Sequence, residues 1–284
     1  MATIILKYGL LIVLIVILVL SIISILNLTK REFNLLVQQG QERINDASIE
    51  LISEEDLHDL PFPVKKYLEY VGVVGTEKIL SYTVEFSGEF KMHEDKEFSS
   101  MTAYQTSYNI EATRLFYMTL KYSGIKIVGL HHFENENATM KIKILDLLKV
   151  VDESGEIMNQ SETVTMFNDM ALLAPATLLD DRITWEEIDD YHVVGHFTNG
   201  SIVVSATFEF NDQYQLINFI SEDRYAIADG KSQNVTWSTP VTEYQEKNGL
   251  NLPYKGSAIW HFEDHDFEYI KLVIENIEYN KGLK

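Results

Sequence analysis

The sequence predicts a mainly β protein: a curved antiparallel sheet, built as a half-barrel with covering helices, preceded by an N-terminal transmembrane helix. Three observations predict it. Residues Tyr8 to Leu28 are almost unbroken Leu, Ile and Val. Short runs with a period of two recur through the rest of the chain, and one apolar stretch with helical spacing interrupts them.

Within Tyr8 to Leu28 the only exceptions are Tyr8, Gly9, Ser21, Ser24 and Asn27, none of them charged. At about 1.5 Å per residue the run makes roughly 30 Å of helix, the thickness of a bilayer's hydrocarbon core. It is longer than the core of a signal peptide and no small-x-small cleavage pattern follows it, so residues 1–28 read as an uncleaved anchor. Lys7 flanks one end, Lys30 and Arg31 the other. That near balance leaves the orientation open.

Residues 29–60 read as a polar, partly helical stalk in which Phe33, Leu35, Leu36 and Val37 give way to Gln38-Gln39-Gly40-Gln41. The half-barrel domain is assigned to residues 61–284. It opens at Leu60-Pro61-Phe62-Pro63, where Pro63 suits a first helical turn. Val64, Tyr67, Leu68 and Val71 follow at helical spacing, and Gly72 or Gly75 can end the helix.

Strands come next. Tyr82, Val84 and Phe86 alternate with polar neighbours, as do Met140, Ile142 and Ile144, then Val204, Ala206, Phe208 and Phe210, and finally Ile270, Leu272 and Ile274. One greasy and one wet face is the pattern of antiparallel sheet. Asn199-Gly200 predicts a tight hairpin, and Asn211-Asp212, Asp229-Gly230 and Asn248-Gly249 predict further turns. Between them, Ser161 to Leu173 predicts an apolar helix ended by Pro175, lying against the concave face of the sheet.

The formal charge is −20, and the first 31 residues carry only three charges, all positive, so the remainder carries −23. Such a surface repels nucleic acid and anionic headgroups, which argues against DNA or RNA as partners. The absence of cysteine rules out disulfides, thiol catalysis, thiolate metal sites and a lipidated cysteine. A content of 46% hydrophobic residues, with 15 Tyr and 14 Phe, excludes disorder for most of the chain.

No motif assigns a reaction or a cofactor. His192 and His196 sit four apart, as do His261 and His265, but on strands that spacing spans about 13 Å, too far to share a metal ion. His131 and His132 point to opposite faces of a strand. Gly230-Lys231-Ser232 lacks the leading glycine of a P-loop, and no Gly-x-Ser-x-Gly elbow is present. The acidic run Glu186-Glu187-Ile188-Asp189-Asp190 after Trp185 offers paired carboxylates for acid and base roles, or a solvated turn. Arg224 offers a planar fork for a carboxylate or phosphate, or an ion pair with an acidic neighbour. Trp237 and Trp260 lie on predicted strands, as core or as walls of an apolar cavity.

Leu60-Pro61-Phe62-Pro63-Val64-Lys65-Lys66-Tyr67-Leu68 resembles the opening of a bacterial family of unknown function. So do the run Asn168 to Pro175, Thr184-Trp185-Glu186-Glu187-Ile188-Asp189, Asp223-Arg224-Tyr225 and the closing stretch Tyr269 to Tyr279. The resemblance spans roughly residues 60–280. Members of the family look similar in build to the lipoprotein-carrier (LolA-like) half-barrels, in which a curved sheet wraps covering helices around a greasy cavity. It implies an extracytoplasmic domain, and it carries Asp169, Trp185, Glu186 and Arg224 over as candidate site residues.

Together these readings give a single-pass membrane protein, anchored through residues 8–28, whose soluble domain binds an apolar or amphipathic ligand such as a lipid or acyl chain. Arg224 would meet an anionic head, and Trp185 and Trp237 would line the walls, with Glu186 and Asp169 as further ligand-binding candidates. A protein-binding structural or signalling ectodomain and a hydrolase using carboxylates near Glu186 and Asp189 are the alternatives.

Overall fold

Alternation along the chain builds one fourteen-stranded sheet in which every neighbouring pair is antiparallel. The computed structural model describes residues 12–13, 27–228 and 231–283. The anchor read at residues 8–28 therefore lies almost wholly outside the described residues, as does the Asp229-Gly230 turn. Among the described residues no helix is long and apolar enough to cross a membrane.

Strands β1 (Ser81–Phe90), β2 (Ser99–Tyr108), β3 (Thr113–Tyr122), β4 (Ile125–Glu134), β5 (Asn137–Ile144) and β6 (Leu148–Ser154) form one meander. A second comprises β7 (Ile183–Asp189), β8 (His192–Asn199), β9 (Ile202–Phe210) and β10 (Leu216–Ser221). The hairpin β11 (Tyr225–Ala228) and β12 (Lys231–Asn234) stands apart from the sheet. The two meanders are joined through β13 (Thr236–Ser238), β15 (Leu250–His261) and β16 (Asp266–Tyr279), which pairs with β1. Strand β14 (Val241–Lys247) pairs with the first part of β15, and β13 with its last residues. With β6 and β7 as edges, the sheet is open.

The predicted hairpins form where the turn chemistry permits. Gly200 (φ 60°) turns β8 into β9, and Asn248 and Gly249, both in the left-handed region, turn β14 into β15. The Asn211 side chain holds the β9–β10 connection by accepting the amides of Gln213 and Gln215.

Among the described residues three α-helices pack on the sheet: α1 (Leu28–Ile44), α2 (Phe62–Val71) and α3 (Glu156–Leu172). Helix α2 is ended by Gly72 at φ 88°. Helix α3 touches β5 and β6 at one end of the strand order and β9 and β10 at the other, so the sheet bends around it. It begins five residues before the predicted Ser161. Gly155 at φ 104° turns the chain out of β6, and two polar side chains of the early helix, Asn159 and Gln160, bond neighbouring backbone. Asn159 Oδ1 accepts the Ala138 amide at 2.8 Å, and Gln160 Nε2 donates to the Asp223 carbonyl at 3.1 Å.

The segment read as a stalk does not stand free of the domain. Phe33, Val37, Gly40 and Ile44 recur at helical spacing and lay α1 along the outer face of the sheet, over Tyr108, Leu115, Tyr117, Val128 and Leu130. Gly40 sits against the Tyr108 ring, where a larger side chain would collide, and the Tyr108 hydroxyl donates to the Val37 carbonyl at 2.6 Å. Ile52 and Leu57 then enter the main core on the inner face. This layering explains why β3 reads as an almost continuous apolar run. Phe116, Met118 and Leu120 face inward, while Leu115 and Tyr117 lie under α1.

Candidate ligand-binding cavity

Helix α3 is buried on all sides from Ser161 to Ala171, and its two halves do different things. Phe167 anchors an aromatic cluster with Phe197, Phe208 and Phe219 at ring separations of 5.3–5.6 Å. Gly195 leaves room for that ring. On the side facing β2 and β3, by contrast, α3 presents two carboxylates seven residues apart, Glu162 and Asp169. Seven residues are close to two full turns, so both acids lie on one face of the helix.

A single buried cation joins them. Arg114 on β3 donates from Nε to Asp169 Oδ2 at 2.6 Å and from Nη1 to Glu162 Oε2 at 3.1 Å. Gln105 on β2 adds a bond to Asp169 Oδ2 at 2.8 Å. Burial by itself would raise the Glu162 carboxyl, but His131, Arg114 and Arg224 outweigh it and hold it down at about 2. The acid is therefore ionised at neutral pH. Burial pushes the nearby Tyr82 hydroxyl up, and the Asp169 charge pushes it further.

Above this polar floor lies a cavity of about 770 Å³. Its walls are apolar: Phe86 and Phe90 from β1, Phe116 and Met118 from β3, Ile142 from β5 and Leu272 from β16. Gln105, Arg114, His131, Glu162 and Asp169 also border it. Arg224 enters from the link between β10 and β11. Its guanidinium lies 4.1 Å from the centre of the Trp237 ring and 5.3 Å from that of Trp260, and Trp260 stacks in turn on Tyr269.

Two polar atoms on this lining are buried without a hydrogen-bond partner, Arg224 Nε and His131 Nδ1. Arg224 Nη2 reaches Glu162 Oε1 only at 4.0 Å, and His131 Nδ1 stands 3.5 Å from the same oxygen. Arg224 Nε can only donate, and an orphaned buried donor is uncommon in proteins and calls for a partner.

Of the residues singled out from sequence, Arg224, Trp237 and Asp169 meet at this cavity. Trp185 and Glu186 are placed elsewhere. Trp185 is half-buried on β7 against Phe208 at 5.1 Å, and Glu186 is exposed beside it. In the same acidic run, Asp189 accepts the Tyr191 amide and bonds His192, which hold its carboxyl below the usual range. Sequence reasoning missed Arg114, Glu162 and His131. The signals were present: Arg114 shares its strand face with Phe116, Met118 and Leu120, and Glu162 is two turns from Asp169 in a greasy helix.

The paired histidines go to separate partners, His192 to Asp189, His196 to Ser205, His261 to Asp266 and Ser238, and His265 to Asp264 and Glu94. Among the described residues no three His, Asp or Glu side chains converge on a metal position.

The model of a family of unknown function, DUF6544, matches residues 50–272. The chain belongs to that family. Its match begins ahead of α2, consistent with Ile52 and Leu57 packing into the core. No curated protein matches the chain. Solved structures are similar to it at a distance, among them the following three. One is a domain described as outer-membrane lipoprotein-sorting, from Vibrio parahaemolyticus, at 9% identity and TM-score 0.41 over 72% of this chain and 87% of that one. Another is a DUF1329 family protein from Desulfovibrio piger, at 10% identity and TM-score 0.41 over 83% and 96%. The third is a LolA superfamily protein from Nitrosomonas europaea, at 10% identity and TM-score 0.34 over 77% and 92%. Likeness at these TM-scores is too distant to carry a function across.

Proposed function

We propose that this DUF6544 member is a membrane-anchored binding module whose inner sheet face holds an apolar or amphipathic ligand such as a lipid or acyl chain. The observation that carries this reading is the cavity: apolar walls leading to a buried polar floor where the Arg224 Nε donor has no hydrogen-bond partner. Its volume of about 770 Å³ falls in the range of small-molecule sites, and a few polar groups at one end of a greasy chamber suit a ligand with a tail and a head. Arg114 and its two carboxylates together carry one negative charge, which Arg224 offsets from 4.0 Å, while Arg224 Nε, without a partner of its own, is the donor offered to a polar or anionic head. The apolar run at residues 8–28 supports the anchored reading, and an extracytoplasmic domain is part of the same proposal.

Tryptophan fluorescence tests the assignment. Trp237 and Trp260 border the cavity and Trp185 does not. A brominated fatty acid should quench emission saturably, and the quenching should survive Trp185→Phe but fall away in the Trp237→Phe/Trp260→Phe double variant. Quenching that depends on Trp185 alone, or none at all, would rule the cavity out as the site. Arg224→Met should weaken binding of the fatty acid about tenfold or more while leaving its methyl ester nearly unaffected.

A further inference from the structure

We propose that one end of the sheet is a docking surface for an anionic lipid bilayer, so that the cavity faces the membrane to which the chain is tethered. Strand register defines that end. Met101, Leu120, Ile127, Ile144 and Leu148 form one row across β2 to β6. Just beyond this row lie the β3–β4 turn at Ser123-Gly124, the β5–β6 turn at Leu145-Asp146-Leu147 and the β1–β2 connection.

Four large apolar side chains stand in solvent there: Ile125 (47% exposed), Leu145 (46%), Leu147 (58%) and Leu148 (63%). Exposed leucines gathered on adjacent turns are costly unless something apolar covers them. The charge around them is also unusual for this chain. Lys121 faces Lys126 across β3 and β4, and Lys143 faces Lys149 across β5 and β6. Like charges placed directly opposite destabilise a sheet, yet two such pairs occur side by side in a protein of net charge −20. Among the described residues neither Lys121 nor Lys126 has an acidic partner. Lys143 and Lys149 have acidic partners in Asp146 and Asp152, so Lys121 and Lys126 are the cations offered to anionic headgroups beside the exposed leucines. The acidic surface as a whole repels such headgroups, as do Glu94, Asp95 and Glu97 of the β1–β2 connection, so the contact is carried by the β3–β4 and β5–β6 turns.

The chain itself fixes which surface is meant. The apolar run ends at Leu28, and in the next residue the Thr29 amide and hydroxyl both donate to the Asp146 carboxylate, between Leu145 and Leu147. Lys143 Nζ adds a bond to the Thr29 hydroxyl at 2.9 Å. A membrane segment leaving the domain here brings the leucine turn to the same interface. Cavity-lining residues Phe90, Lys91 and Met92 lie at this end too, at the close of β1 and the start of the connection to β2. A ligand could then pass between bilayer and cavity without crossing water.

The inference rests on the membrane-anchored reading above, and its test separates the two. Because the chain has no cysteine, single substitutions give unique labelling sites. Full-length chain carrying an environment-sensitive fluorophore at Leu147→Cys or Ile125→Cys would be reconstituted in vesicles of equal phosphatidylcholine and phosphatidylglycerol containing a lipid-bound nitroxide quencher. Controls are labels at Ile188→Cys on β7 and Ile110→Cys at the opposite end of the sheet, both exposed. Quenching at residues 125 and 147 should exceed that at 110 and 188 severalfold, and Lys121→Glu/Lys126→Glu or high salt should bring it down toward the controls. Equal quenching at all four positions would overturn the proposal. Rapid disulfide formation between two Leu147→Cys chains would overturn it as well, since a second copy would then be the occupant. The tryptophan assay on the same samples reports the cavity independently, so either reading can fail while the other stands.

Discussion

Arg114 is the residue on which the interior depends. It is buried, and it pairs with two carboxylates that are buried with it, Arg224 offsetting the remaining charge from 4.0 Å. Removing one partner of such a cluster leaves uncompensated charge in a poor solvent. Arg114→Met should therefore destabilise the fold by about 3–5 kcal/mol in urea denaturation. Adding Glu162→Gln and Asp169→Asn should recover much of that loss, because the stranded charges are gone. A second expectation concerns pH. The folded-state pKa of Glu162, about 2, lies below its ordinary value of 4.5, so its contribution is fully present above about pH 5 and is lost as pH falls from 4.5 through 2. Denaturation midpoints should decline over that window, and Glu162→Gln should remove part of the decline. None of this cluster except Asp169 was singled out from sequence as a site. A lone arginine in a strand and an acid in an apolar helix each look like ordinary noise until the register of β3 sets them against each other.

At the scale of elements, α1 shows what patterning conveys and what it hides. Its helical nature is legible, but its stripe of Phe33, Val37, Gly40 and Ile44 is diluted by glutamines, and Gly40 looks like a place where a helix loosens. In the fold Gly40 is instead the point of closest approach, a role that only tertiary contact reveals. Gly40→Leu should lift α1 from Tyr108 and raise amide exchange along the helix without unfolding the sheet. The other end of α1 is held by Asp146, which stands in the left-handed region at φ 59°. Glycine tolerates that conformation, so Asp146→Gly isolates the lost cap. About 1 kcal/mol of stability should go, with faster exchange confined to the first turn of α1. The strands were far easier to read. Met140 to Ile144 and Val204 to Phe210 alternate cleanly because only one of their faces is strongly apolar. The strand β3, covered on both faces, shows no alternation at all.

For the whole molecule, the open antiparallel sheet bent around an apolar helix follows from the sequence pattern, whereas the cavity does not. A cavity is space that packing leaves unfilled, and no local pattern records it. Arg224, Trp237 and Asp169 were found because their residue types are conspicuous; Trp185 and Glu186, equally conspicuous, belong to a different part of the sheet. The central claim is that the space under α3 holds a lipid-like ligand. Native mass spectrometry of the full-length chain, ejected from nanodiscs made of one phospholipid after purification from cells, tests it most directly. The account predicts adducts at lipid or fatty-acid masses that survive removal of bulk lipid and are depleted in Arg224→Met. A bare protein mass in both the parent chain and the variant would contradict it.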